Sequence, residues 1–421
     1  MSTFELSVRL FLQMAFILTA CRVIGYLAVR IGQSQVVSEM IAGVLMGPSL
    51  FGLVAPSAQA YIFPAASMPV LFAIAQIGLS LYMFRIGLEF DVDMIRKRMR
   101  SALFVSFAGI AVPFVLGGLI ALYMFGNDRL FSPNVSRPEV MLFVGAAMSI
   151  TAFPMLARII YERGLSRTSL GTLALASGSI DDAAAWCILA IVLASFSGDP
   201  SLAAVAIGGG VGYALFTLII ARRLLAPLGR IVERDRIMSP NMLAFVLVCV
   251  MAASWFTDTI HIYAVFGAFI MGIAMPRGKF AKELERALGP VTVAFLLPVF
   301  FVYSGLNTKI GLVDSPGMWL LALVVLIAAT LGKGVACFAA ARMSGEPTRD
   351  ALAIGTLMNS RGLMELIILN IGLERGVIQP TLFTIMVLMA IVTTLMATPI
   401  FEWVYRPPPR RPPDQVPNSL L

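Results

Sequence analysis

Two adjacent aspartates, Asp181 and Asp182, lie inside an apolar stretch that runs from about 168 to 197. A charge held at the centre of a bilayer costs at least ~2.5–3.5 kcal/mol, so two together point to the binding and release of something charged at mid-membrane. Neighbouring residues on a helix are rotated by ~100°, so the two carboxylates face different surroundings. One can face a cavity while the other meets a counter-ion. Lys333 is the evident counter-ion: it sits midway along the apolar run 316–341, between Gly332 and Gly334, and such glycines allow close helix approach. Stretch 140–161 carries Ser149 and Thr151 beside Pro154, and a proline inside a span breaks or kinks the helix. Stretch 350–373 holds Gly355, Asn359, Arg361, Gly362 and Glu365, the composition of an unwound polar segment. Arg361 and Glu365 are also spaced as an i,i+4 pair. Glu39, Asp258 and Glu402 fall near the ends of apolar runs and are expected at the rim or in packing.

Other chemistries are excluded or disfavoured by residue type. A single histidine, His261, rules out a multi-histidine metal site, and the four cysteines lie in apolar runs without metal-ligand spacing. An intramembrane aspartyl protease needs aspartates converging from two helices, and adjacent aspartates on one helix cannot share a catalytic water that way. The chain is therefore not expected to be an enzyme, and no cofactor is implied.

These residues need membrane-spanning helices to position them. Hydrophobic residues make up 59% of the 421-residue chain and charged residues 13%, against about 45–50% and 25% in soluble domains. Runs near the ~20 residues that cross a bilayer fall at 6–29, 36–54, 67–88, 101–125, 140–161, 168–197, 201–221, 241–257, 261–275, 290–307, 316–341, 350–373 and 379–404. About thirteen transmembrane helices are thus expected, the first of them read as a retained span.

The net charge of +8 is distributed by topology. Basic residues crowd alternate loops, such as Arg96–Arg100 and Arg222–Arg236, while the opposite loops carry only Arg129, Arg137, Lys309 and Arg375. That asymmetry predicts an N-terminus outside and a C-terminus in the cytoplasm of a cell (inner) membrane protein, and removes a nucleic-acid reading. Arg9, Arg22 and Arg85 are expected to snorkel. An odd span count suits an inverted repeat: repeat one at about 6–197, a linking helix at 201–221, repeat two at about 241–404, all within one membrane domain over 1–405. The proline-rich segment 406–421 reads as a short disordered cytoplasmic tail. Interrupted spans at matching positions of two halves are a pointer to a transporter site.

The segments Ala42-Gly43-Val44-Leu45-Met46-Gly47-Pro48-Ser49, Thr151-Ala152-Phe153-Pro154-Met155-Leu156-Ala157-Arg158, Pro298-Val299-Phe300-Phe301-Val302-Tyr303-Ser304-Gly305-Leu306 and Asn359-Ser360-Arg361-Gly362-Leu363-Met364-Glu365-Leu366 resemble signatures of the monovalent cation:proton antiporter-2 family. The resemblance covers about residues 6–404. It implies an all-α polytopic fold with two crossed broken helices, a core and a dimerisation domain, and a homodimer in the lipid bilayer. It implies exchange of Na⁺ or K⁺ for H⁺, with Asp182 as the shared cation and proton site. Asp181 and Thr151 would stand beside it, Lys333 would pair with Asp181, Pro154 would mark the first helix break, and Arg361 with Glu365 would form the polar pair of the second. Stretch 140–161 lacks the carboxylate that some sodium antiporters bring to the crossing, so Na⁺ and K⁺ both stay open. The competing expectation is a sodium-coupled organic-anion symporter of bile-acid type with a similar broken-helix plan, which would bind sodium through neutral side chains and leave the aspartates without a task.

Overall fold

The computed structural model describes residues 2–30, 35–89, 92–166, 168–197, 200–235, 237–260, 262, 264–306 and 312–405. His261, Lys309 and the tail 406–421 lie outside the described residues. The chain forms α1 (Thr3–Arg30), α2 (Gln35–Met46), α3 (Phe51–Val54), α4 (Pro56–Ile62), α5 (Met68–Glu89), α6 (Val92–Met124), α7 (Arg137–Ser149), α8 (Phe153–Glu162), α9 (Ser169–Ser197) and α10 (Pro200–Phe216). It continues with α11 (Arg222–Asp235), α12 (Pro240–Thr259), α13 (Ala264–Ala274), α14 (Lys279–Val291), α15 (Leu297–Leu306), α16 (Pro316–Met343), α17 (Thr348–Met358), α18 (Leu363–Glu374) and α19 (Pro380–Val404). Among the described residues no strand forms; Phe131 and Ile378 make one isolated antiparallel bridge.

Helix starts follow local chemistry. Ser239-Pro240 and Ser315-Pro316 open α12 and α16, and each serine accepts a hydrogen bond from the backbone N–H three residues on, at 3.3 and 3.4 Å. Ser136 and Glu139 cap α7 reciprocally. Eight described segments are long and apolar enough to cross a membrane, with two shorter apolar ones at Ile41–Val54 and Ala264–Ala274. Phe11, Phe107, Trp255 and Leu320 are exposed on them, as lipid-facing side chains are.

Some boundaries differ from the sequence expectation. The expected run 36–54 stops at Met46, and α3 and α4 cover the way to α5. The link at 201–221 passes through a π-helical turn at Thr217–Ala221 into α11. The loop expected before 290 contains the amphipathic helix α14, which buries Phe280, Leu284 and Leu288 on one face. Arg85 does not snorkel: it forms a bidentate pair with Glu285 of α14.

Helix contacts fall into two groups. α6 packs on α7 and α9, α16 packs on α17 and α19, and α6 packs on α16. In the other group α1 packs on α2, α12 on α13, α5 on α13, and α15 on both α2 and α5. Arg129–Asp314, Arg98–Glu346 and Arg163–Glu402 are ion pairs on the side of the first group, and Arg85–Glu285 on that of the second. Phe153 of α8 and Phe269 of α13 meet edge to face between the groups, with ring centroids 5.4 Å apart.

The α5–α13 contact is backbone on backbone. A Cβ added at Gly272 would lie 2.1 Å from the Phe84 carbonyl oxygen, whereas one at Gly212 would meet nothing within 4 Å. Gly272→Ala is therefore expected to cost about 1–3 kcal/mol through overpacking, and Gly212→Ala to be neutral. Thermal melting of the detergent-purified variants checks this; equal melting temperatures would contradict the packing described.

Candidate functional site

The first broken span runs through α7 and α8. Helix α7 ends at Ser149, Ile150 turns to an extended conformation (φ −66°, ψ 136°), and Thr151 and Ala152 stay outside either helix. Pro154 is the second residue of α8, a first-turn place where its missing N–H has no intrahelical partner to lose. The proline thus opens the second half-helix, and the break lies before it. The second broken span is the pair α17 and α18, with Asn359, Ser360, Arg361 and Gly362 between them. The two breaks touch: the Ala152 N–H donates to the Ser360 carbonyl at 3.2 Å. A Cβ on Gly362 would lie 3.1 Å from both Ala152 and Met155, so glycine lets the chains cross there.

Helix α9 brings Asp181 and Asp182 to this crossing with relative exposures of 1% and 5%. Asp181 is held on both oxygens. Its Oδ1 accepts from Ser106 Oγ of α6 at 2.5 Å. Its Oδ2 accepts from Thr151 Oγ1 at 2.6 Å and faces Lys333 Nζ at 3.2 Å. Lys333, fully buried on α16, also donates to the Ser149 carbonyl.

Arg361 is fully buried as well. It donates through Nη2 to the Met148 carbonyl at 2.6 Å and through Nη1 to the Ala147 carbonyl at 3.4 Å. Arg361 and Lys333 therefore cover the last three carbonyls of α7. A helix C-terminus carries partial negative charge and orphan acceptors, and both cations meet that need without water. Thr394 of α19 fixes the Arg361 backbone: it accepts from the N–H at 3.1 Å, and its hydroxyl lies 2.6 Å from the carbonyl. Glu365, in the first turn of α18, lies 3.7 Å from Arg361 Nη1, and its buried oxygens make no hydrogen bond among the described residues.

The crossing thus holds three buried carboxylates (Asp181, Asp182 and Glu365) and two buried cations (Lys333 and Arg361) among the described side chains. Among the described residues no group of three or more His, Cys, Asp or Glu converges as a metal cage. Neutral oxygens are present: Ser177 Oγ on α9 and Asn359 Oδ1 in the second break are buried without a hydrogen-bond partner.

Each sequence candidate can now be placed. Asp181, Thr151 and Lys333 form one hydrogen-bonded cluster, and the Thr151 hydroxyl is committed to Asp181. Asp182 is adjacent on α9, and Arg361 with Glu365 lies across the break. Glu39 is fully buried in α2, Asp258 is exposed, and Glu402 pairs with Arg163. Sequence reasoning missed Ser106, Ser177 and Thr394. Their one signal was a hydroxyl in an apolar run, which many membrane helices share.

Residues 16–406 match the family model described as "Sodium/hydrogen exchanger, transmembrane". The chain is 40% identical over 395 residues to the Na(+)/H(+) antiporter NhaS4 of Synechocystis sp., covering 93% of this chain and 96% of that protein. It is 36% identical to Cation/H(+) antiporter 19 of Arabidopsis thaliana (94% of this chain, 49% of that one) and 32% identical to K(+)/H(+) antiporter 1 of Saccharomyces cerevisiae (93% and 46%). The chain spans about half the length of these plant and yeast relatives. The solved sodium proton antiporter MjNhaP1 from Methanocaldococcus jannaschii has the same fold, with a TM-score of 0.61 at 14% identity over 94% of this chain and 96% of that one.

Removing one partner of a buried pair leaves the other charge uncompensated, at a cost of about 3–5 kcal/mol. Lys333→Met is expected to lose that much, and the double variant Asp181→Asn/Lys333→Met to recover a large part of it. A double-mutant cycle read by thermal or denaturant unfolding checks this; additive losses would show that the two side chains do not act as a pair.

Proposed function

The chain belongs to the sodium/hydrogen exchanger family of membrane proteins, and from that membership we propose that it is a secondary antiporter exchanging Na⁺ or K⁺ for H⁺ through one site at Asp182. The observation that carries the reading is the cluster of buried carboxylates and cations where the two broken helices touch, with Asp182 buried beside Asp181 on α9. A buried carboxylate that takes a proton or a monovalent cation in turn and excludes both together meets the requirement for exchange.

The division of labour follows from the hydrogen bonds. Asp181 accepts from two hydroxyls and faces an ammonium, so its charge is satisfied in place and it serves as a fixed anchor. Asp182 is the exchanged carboxylate. Ser177 Oγ, Asn359 Oδ1 and carbonyls of the breaks are candidate neutral ligands for a dehydrated cation, with Thr151 holding Asp181 beside them. The relatives named as antiporters favour this reading over sodium-coupled organic-anion symport.

Movement is assigned to the two groups of helices. The group α6–α9 with α16–α19 is the core that carries the site, and α1, α2, α5, α12, α13 and α15 are the frame, which also supplies the dimer contact. The parallel between α6 on α7 and α9 and α16 on α17 and α19 supports an inverted repeat of about 6–197 and 241–404. An apolar contact between the groups, Phe153 on Phe269, can slide. The charge asymmetry supports a basic face in the cytoplasm of a cell membrane, with the N-terminus outside.

In proteoliposomes loaded with a pH dye, wild-type protein is expected to move protons on addition of Na⁺ or K⁺, and Asp182→Asn to lose at least about 95% of that rate. This corresponds to roughly 1.8 kcal/mol or more of lost function. An Asp182→Asn protein that still exchanges cations for protons would overturn the assignment.

A further inference from the structure

A cavity that the exchange site does not use opens on the basic face, between the start of α6 and the end of α16. It has a volume of about 750 Å³, the size of a small-molecule pocket. Arg100, Ser101 and Ser344 line its polar end, and Phe104, Phe107 and Met343 its apolar side. Phe107 and Met343 are 70% and 77% exposed, so this wall opens sideways, toward the acyl chains of the bilayer. The cationic end has charge to offer. At the same rim Arg98 pairs with the Glu346 carboxylate and offsets it, while Arg342 donates to the Glu346 backbone carbonyl. Arg100 makes no hydrogen bond or ion pair among the described residues.

We propose that this cavity binds one anionic phospholipid, with its phosphate on Arg100 and the two serine hydroxyls and its acyl chains along Phe104, Phe107 and Met343. Charge complementarity selects the anionic headgroup, and the apolar opening at acyl depth selects a lipid over a free anion. The site is placed to matter for transport. Ser106, on the same stretch of α6, bonds to Asp181, and Lys333 lies on α16. The two helices meet closely beyond the cavity, where a Cβ on Gly109 would lie 2.6 Å from Cys337 Sγ. A lipid wedged between them sets the angle at which both reach Asp181.

The test reads binding and is independent of transport. Phosphatidylglycerol added to detergent-purified protein is expected to raise the melting temperature by about 3 °C or more over phosphatidylcholine. Arg100→Glu and Arg100→Gln should each lose at least half of that increment. Arg223→Glu, an exposed arginine on α11 of the same basic face, should keep it. Loss of the increment in all three variants, or in none, would overturn the site in favour of a general surface effect. So would an equal rise with inorganic phosphate, which would mark an anion site without lipid specificity. Absence of any increment in the wild type would end the proposal while leaving the exchange assignment untouched.

Discussion

A helix that ends inside a membrane leaves carbonyl oxygens that no water can reach, and the rest of this molecule is arranged around that fact. Helix α7 stops at Ser149, and its last three carbonyls must be satisfied from within the protein. Lys333 and Arg361 do so from two other helices. Two cations buried for this purpose then require carboxylates near them, and Asp181 and Glu365 supply those. The crossing is thus a closed electrostatic construction before any transported ion is considered.

Asp182 is buried beside Asp181 on α9. Asp181 is tied to three different helices or breaks through Ser106, Thr151 and Lys333, and releasing it would take the acceptor from both hydroxyls and leave Lys333 only the Ser149 carbonyl. The arrangement makes the adjacent aspartates chemically unequal. If only Asp182 changes occupancy, a proton and a monovalent cation carry the same charge through the crossing, and exchange is one for one without net charge movement. Two protons per cation would instead require the Asp181–Lys333 pair to open and Lys333 to discharge, with the Ser149 carbonyl losing its donor.

Much of this was legible in the residues. Charges in apolar runs are costly enough to mark function unaided, and Asp181, Asp182, Lys333, Arg361 and Glu365 all declared themselves that way. What stayed hidden depends on tertiary geometry. The Thr151 hydroxyl could be placed near the break, but which aspartate it meets depends on how α7 docks on α9. Ser106 and Thr394 look like ordinary small polar residues until α6 and α19 are in place. Helix α14 was masked by its charges, because its apolar side shows only as Phe280, Leu284 and Leu288 at four-residue spacing. Pro154 was read as the mark of a break in its span, and the break lies just before it, at 150–152.

The central claim is that one carboxylate trades a proton for a cation while its neighbour stays paired. Proton release measured with a pH dye when Na⁺ or K⁺ is titrated into detergent-purified protein addresses it directly. The account predicts one proton released per cation bound, in the wild type and equally in Asp181→Asn/Lys333→Met. Two protons per cation in the wild type, falling to one in that double variant, would contradict it and make the Asp181–Lys333 pair part of the exchanged site.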